Sequence, residues 1–419
     1  MKTKRSRFTA VKFQKAVAVL AAVLVFAGTS FAGDMDKLIN MLSDKGVITS
    51  SEAQQLIAGQ TDNVPAWVKN MKLSGDMRLR YQSDWADHGF TRDRMRLRLR
   101  FGVETNPIEN MTAAFGLATG SMATPAGGGT VTDSNPATRN YTFEDFTKPT
   151  IMVDFAYVQY KIIDGIKISG GKVKNDMAVW NLRQLVWDGN INPDGFAANV
   201  NKKIDSSFDF FANAGWYTMG EGNTTAGVSY LMPDVYIAQP GISYKSDLIA
   251  AKVAIAYQQF NTKGRMIGNN LSLYFKPIIN TVNYNIIDPS AEVKFKNLVG
   301  KYGVSVFGEY VKNINGDVKN NAEGGLYGIG VGNDGVSKFG EWNLAVMGRY
   351  LMSNSVPNGL SFSDVYGGYI DNGIRGYEIN FNFGLVKNAS AAINYLNYKN
   401  INGVQIDKSL IQLDLNYKF

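Results

Sequence analysis

A strand buried on one side only reads as apolar and polar residues in strict turn, because successive side chains point to opposite faces. Lys72 to Tyr81, KLSGDMRLRY, has this form: Leu73, Gly75, Met77, Leu79 and Tyr81 share one face, and Lys72, Ser74, Asp76, Arg78 and Arg80 the other. In Arg92 to Glu104, RDRMRLRLRFGVE, Met95, Leu97, Leu99, Phe101 and Val103 oppose Arg94, Arg96, Arg98 and Arg100. The final LIQLDLNYKF sets Ile411, Leu413, Leu415, Tyr417 and Phe419 against Gln412, Asp414, Asn416 and Lys418.

The same pattern predicts sixteen strands, near 72–81, 92–104, 110–119, 150–161, 165–173, 194–202, 206–217, 234–244, 249–260, 289–297, 300–311, 325–332, 340–351, 375–385, 389–398 and 409–419. Between them, long connections (82–91, 120–149, 174–193, 218–233, 261–288, 312–324, 352–374 and 399–408) alternate with short ones. Most short ones are turns marked by polar residues or proline, such as Asn106-Pro107, Lys245-Ser246-Asp247 and Lys387-Asn388. An even number of amphipathic strands with long loops on one side and short turns on the other is the outer-membrane barrel pattern, and it returns both chain ends to the periplasmic side. Closure leaves no sheet edge in lipid, where each orphan backbone group costs several kcal/mol. A soluble sandwich or propeller would also alternate, but with short connections on both sides and no bias of tyrosine to strand ends. Tyr81, Tyr257, Tyr310, Tyr350 and Tyr417 sit near predicted ends, where interfacial aromatics belong. The expected fold class is therefore all-β: a 16-stranded antiparallel transmembrane β-barrel over residues 66–419, preceded by a short periplasmic helical segment.

That preceding segment, 33–65, has a different period. Met35, Leu38, Ile39 and Leu42 recur at helical spacing, Gly46 ends the piece, and Thr49-Ser50-Ser51-Glu52 is a capping-box pattern opening a second short helix with Leu56 and Ile57. Asn63-Val64-Pro65 reads as a linker. A small helical hairpin, an oligomerisation element, a periplasmic contact and a plug all remain open for it.

Residues 1–32 read as a leader removed from the mature chain. Lys2, Lys4, Arg5, Arg7, Lys12 and Lys15 form a basic start, Ala16 to Phe26 an apolar run, and Ser30-Phe31-Ala32 a cleavage site. This changes the charge argument. The whole chain carries 43 basic and 36 acidic residues, net +7, but 1–32 holds six of the basic ones and no acid, which leaves +1. The basic excess that would suggest nucleic acid as a partner is cut off with the leader. Cysteine is absent and His88 is the single histidine, so Cys-ligated clusters, c-type haem and a His-rich metal site are excluded, and no cofactor or metal is expected. No later run offers 18 uninterrupted apolar residues for a transmembrane helix.

If the apolar faces meet lipid, Arg78, Arg80, Arg94, Arg96, Arg98 and Arg100 line the lumen, since arginine on the lipid face at the midplane costs about 2–4 kcal/mol. They would form an electropositive wall drawing anions, or pair with inward acids such as Asp76, Asp154, Glu292, Glu309, Glu378 and Asp414 and lose part of that field. The connection 174–193, with Trp180, Arg183, Trp187 and Asp188, is the candidate constriction loop; its plain alternative is a surface loop. Loop 120–149, rich in Gly, Thr and Ala, reads as a solvated external loop. No catalytic residues are assigned. His88 lies near Ser83, Asp84 and Asp87 in a loop, where exposure explains it better than a nucleophile pair, and Gly328-Ile329-Gly330-Val331-Gly332 has no helix pattern after it to make a nucleotide loop.

Segments spread over nearly the whole mature chain carry a family resemblance: Leu42 to Ala53 (LSDKGVITSSEA), Gly75 to Tyr81 (GDMRLRY), Arg92 to Gly102 (RDRMRLRLRFG), Trp187 to Gly195 (WDGNINPDG), Gly308 to Asn313 (GEYVKN), Gly340 to Tyr350 and Gln412 to Phe419. With them the chain resembles the Putative porin family, relatives of the phosphate-selective porins O and P. The resemblance implies a barrel in the outer membrane of a Gram-negative bacterium, passive diffusion of small hydrophilic solutes or anions, a homotrimer, and no catalytic residues. A phosphate-binding ladder is not matched residue by residue. The rival from another class is a structural or partner-holding barrel, an electron-transfer sheath or adhesin, which loops 120–149 and 261–288 would serve. Processing after Ala32 should leave Gly33 as the mature N-terminus, which N-terminal sequencing of the protein from outer-membrane fractions will check; an unprocessed Met1 there would refute the leader.

Overall fold

The computed structural model describes residues 66–87, 91–120 and 122–419, apart from 124–130, 133–139, 144–145, 147, 221–222, 226–227, 231, 264–282, 358–359, 367–372 and 404–406, together with the single residues Thr49 and Ser51. The leader, nearly all of the 33–65 segment and His88 lie outside the described residues. The chain divides into two units, 1–71 and 72–419. Of the first, one helical turn is described, α1 (Ala66–Lys69). No described helix is long and apolar enough to cross a membrane.

The second unit is a closed antiparallel barrel of sixteen strands: β1 (Lys72–Ala86), β2 (Thr91–Thr105), β3 (Met111–Gly120), β4 (Thr150–Ile163), β5 (Ile166–Lys172), β6 (Asp194–Lys203), β7 (Phe208–Thr218), β8 (Asp234–Lys245), β9 (Ile249–Asn261), β10 (Tyr284–Val299), β11 (Tyr302–Asn313), β12 (Glu323–Gly332), β13 (Trp342–Leu351), β14 (Ile374–Val386), β15 (Ala389–Asn400) and β16 (Asp407–Lys418). Each pairs with the next, and β16 pairs with β1 in the register Leu79↔Leu415 and Arg80↔Asp414. Gly75 and Phe419 exchange backbone hydrogen bonds at 2.9 and 3.0 Å. A Cβ on Gly75 would stand 2.5 Å from the Phe419 ring, so glycine is required there.

Side chains alternate between the two faces along the strands, with a shift in β4, where a bulge opposite Gly116 and Leu117 turns both Asp154 and Phe155 inward. Across β11 to β14, Val306, Ile329, Val346 and Ile379 lie side by side in register on the outer face, each at least one-third exposed. Aromatic rings edge this apolar band. At the turn end Phe208 meets Tyr244 and Tyr302 meets Trp342, both at 4.8 Å between centroids; at the loop end Trp85 meets Tyr395 at 6.3 Å. These are the positions where amphipathic rings sit at headgroup level.

All sixteen expected strands form, with differences at particular ends. The first connection is short, not the expected 82–91, because β1 runs on to Ala86 and β2 starts at Thr91. Gln82 and Asp84 are polar yet continue the strand, since their side chains face a polar lumen and bond Arg96 and Arg92 there. β10 begins at Tyr284, five residues before the expected Pro289. The strand survives the proline because the ladder to β11 simply skips Asp288 and Pro289, passing from Ile287↔Lys312 to Ser290↔Glu309. Part of the connection expected to be a solvated external loop, 120–149, returns to the wall: Tyr141–Thr142 adds a short strand to β2.

A charge placed in the outer band should be costly. Ile329→Lys is expected to lower folding stability by about 2–4 kcal/mol, read from denaturant titrations in phospholipid vesicles. Ser305→Lys, on the inner face of the adjacent strand, should cost far less.

Candidate functional site

The inner face of β16, β1 and β2 stacks side chains in cross-strand rows. From the turn end upward these are Lys418–Asp76–Arg100, Asn416–Arg78–Arg98, Asp414–Arg80–Arg96, Gln412–Gln82–Arg94 and Leu410–Asp84–Arg92. Two rows set arginine directly opposite arginine, an unfavourable pairing unless carboxylates intervene. Asp76 accepts from Arg98 at 2.8 Å and Arg100 at 2.6 Å. Asp84 accepts from Arg92 and Arg94, both at 3.1 Å. Asp414 takes the Nε and Nη2 edge of Arg80 at 2.6 and 2.8 Å, and Arg78 donates to Asn140 at 2.6 Å. Among the described residues Arg96 bonds Gln82 alone, at 3.3 Å. The rows thus hold seven arginines, and among the described residues four carboxylates answer them: Asp76, Asp84, Asp414 and Asp364.

The connection 174–193 crosses the lumen. It opens with α2 (Asn175–Ala178) and buries Val179, Leu182, Leu185, Val186 and Trp187 against inward apolar side chains of the loop-end wall such as Phe260, Ile286 and Val311. Polar bonds pin it from one side to the other. Gln239 on β8 accepts from the Trp180 backbone N–H at 2.6 Å and donates back to its carbonyl at 3.1 Å. The Trp187 indole donates to Gln258 at 2.7 Å. Arg183 bonds Glu292 at 3.2 Å and lies over the Phe307 ring at 4.5 Å, and Arg349 donates to the carbonyls of Arg183 and Gln184 at 2.9 and 3.0 Å. A Cβ on Gly328 would come 2.6 Å from the Phe307 ring, so the glycine run of β12 makes room for the ring that supports Arg183.

Sequence reasoning missed a second inward segment. The connection 352–374 carries α3 (Ser363–Tyr366), and the residues before α3 lie on top of the first loop. The Ser361 hydroxyl donates to the Leu185 carbonyl at 2.7 Å, and the Ser363 backbone N–H donates to Asp188 at 2.8 Å. Leu360 and Val356, the signal that could have marked this stretch, are buried in the same apolar core as Leu185. Asp188 is fully buried; burial pushes its carboxyl up, against the pull of the Ser363 and Asn190 N–H donors. Asp364 crosses to the opposite wall and meets Arg80 Nη1 at 3.1 Å. Burial works against its charge, but Arg80, Arg96 and Arg78 outweigh that and hold it below the usual carboxylate range.

The six arginines of the sequence reading therefore stand together on one wall, and Trp180, Arg183, Trp187 and Asp188 on a loop that reaches toward them from the other side. Arg80 is nearly buried and Arg100 about a third exposed. Between the loop and the turn end lie cavities of about 1110, 840 and 420 Å³. The largest is lined by Lys167, Lys174, Arg183, Lys203 and Lys252 against Asp176 and Asp209. Lys252 sits over Trp180 and Phe211 at 4.6 and 4.3 Å. Among the described residues no three His, Cys, Asp or Glu side chains form a cluster that could hold a metal ion.

The structure of OprB from Pseudomonas putida shares the fold, with a TM-score of 0.53 at 10% identity over 84% of this chain and 95% of that one. The outer-membrane channel DcaP of Acinetobacter baumannii is similar at 14% identity and a TM-score of 0.46, covering 84% and 98% of the two chains. A triple mutant of the Rhodopseudomonas blastica porin is similar at 11% and 0.44, covering 83% and 100%. No curated protein matches the sequence. The family model described as Putative porin matches residues 86–272 and 283–419, nearly the whole barrel. With a closed sixteen-strand barrel, a charged lumen and that match, the chain belongs to the Putative porin family, barrel proteins of the outer membrane of Gram-negative bacteria.

Proposed function

We propose that the protein is a passive diffusion channel for small hydrophilic solutes, with a preference for anions. The observation that carries this reading is the imbalance on the β16–β1–β2 wall, seven arginines facing four carboxylates among the described residues. Fixed charge lining a pore biases which ion enters, and narrow, low-dielectric walls keep that field from being screened as it would be in open water. The lysines and arginine around the largest cavity carry the same sign toward the turn end. Carboxylate pairs remove part of the field, and among the described residues the weakest compensation is at Arg96, which bonds only the neutral Gln82, and Arg78, which is 4.0 Å from Asp414.

The leader 1–32 would deliver the chain to export, and 33–65 would remain periplasmic. We propose a homotrimer as its assembly, by resemblance to porins, with the lipid of the outer membrane as the partner of the apolar band. A partner-holding barrel is the reading to adopt if the folded protein does not conduct.

Purified, refolded protein in a planar bilayer under a potassium chloride gradient should give stable conductance steps and a reversal potential displaced toward the chloride equilibrium value. Displacement toward potassium would overturn the anion preference and leave the channel. Arg78→Gln with Arg96→Gln should lower the anion-over-cation permeability ratio severalfold while the steps persist, because neither guanidinium forks onto a carboxylate whose loss would undo the effect.

A further inference from the structure

Arg80 is held by two carboxylates of different origin. Its Nε and Nη2 edge is occupied by Asp414, a neighbour fixed by the barrel ladder. Its Nη1 donates to Asp364, 284 residues away on α3, which no ladder holds against the wall. Around this second carboxylate the wall is under-compensated. Arg96 has no ion pair among the described residues, Arg78 is 4.0 Å from Asp414, and the Nε atoms of both are buried without an acceptor. Guanidinium groups stacked in rows repel one another strongly in a low-dielectric surrounding, and a carboxylate brought in by a loop relieves that repulsion.

We propose that the position filled by Asp364 is a binding site for the carboxylate of a permeating solute, with Asp364 as its stand-in within the chain. The proposal rests on the anion-preferring reading of the lumen and names the solute class for it. Guanidinium edges suit a planar, two-oxygen anion. A solute carboxylate that takes the Nη1 edge of Arg80 also comes within reach of Arg96 and Arg78, and the net charge of the cluster is unchanged as Asp364 swings away. The three arginines hold Asp364 ionised, so an arriving anion, and not a proton, is what displaces it. A tethered competitor also keeps solute binding weak, as conduction requires: a site must be favourable enough to enter and easy to leave.

The experiment uses the full mature protein in planar bilayers, with chloride carrying the current and acetate added as the probe. Acetate should inhibit the chloride current of the wild type only at high concentration. Asp364→Asn removes the competitor and should lower the inhibiting concentration by about tenfold, as expected when a high effective local concentration is withdrawn. Asp364→Glu should behave as wild type. Heat-modifiable gel mobility checks that each barrel is folded. A folded, anion-selective Asp364→Asn channel with unchanged acetate inhibition would overturn the site and leave the anion reading intact, whereas a cation-selective wild type would overturn the anion reading itself. An equal gain in inhibition by phosphate would overturn the assignment to carboxylates. If Asp364→Asn does not fold, Arg96→Gln serves: weaker acetate inhibition supports the site, and unchanged inhibition refutes it.

Discussion

Inside a bilayer no water stands ready to satisfy a backbone N–H or C=O, and each one left alone costs several kcal/mol. The seam between β1 and β16 is where this chain meets that demand, because it turns a sheet with two open edges into one with none. Everything else follows from the closure. Once the strands form a cylinder, one face of each must meet hydrocarbon and the other must meet whatever the cylinder encloses. The outer row Val306–Ile329–Val346–Ile379 and the inner row Asp414–Arg80–Arg96 are two sides of the same constraint.

The enclosed space is divided unequally. Toward the loop end, the 174–193 connection and the segment before α3 build a small apolar core within the barrel, with Leu185, Val356 and Leu360 among Phe260, Ile286 and Leu396. Toward the turn end the walls are lined by lysines, arginines and amides. Polar bonds at the border hold the loops in place: Gln239 and Gln258 grip the first loop from one side, and Asp364 on Arg80 anchors the second segment to the other. The arginine wall thus has a structural task, anchoring a loop, beside its electrostatic one.

Period-two alternation is local and survives most of what the strands later pack against, so all sixteen strands were legible from residue order alone. What was not legible depended on the unusual polarity of the interior. Gln82 and Asp84 look like loop residues when polarity is taken to mean water outside; here it means lumen inside, and β1 runs on. Pro289 looks like a strand start until a ladder that skips it is seen. The place of α3 could not be read at all, because it rests on Ser361 meeting Leu185 and Asp364 meeting Arg80, contacts 176 and 284 residues apart. The candidate loop 174–193 stood out for its own composition, but its anchors on Gln239, Gln258 and Arg349 are scattered over three distant strands.

The Arg80–Asp414 pair joins residues 334 apart, and this has a bearing on the order in which the barrel assembles. Neighbouring hairpins can zip as they meet, but the first and last strands must wait until all the chain between them is arranged, since a contact at such separation is the slowest to form. Until then the sheet carries two bare edges, each a template for pairing with another chain, and Arg80 has no strand-borne counter-ion. Newly exported chains are therefore at their most vulnerable just before completion. A cellular helper that covers those edges, or templates the seam, would act at the step this protein can least manage alone.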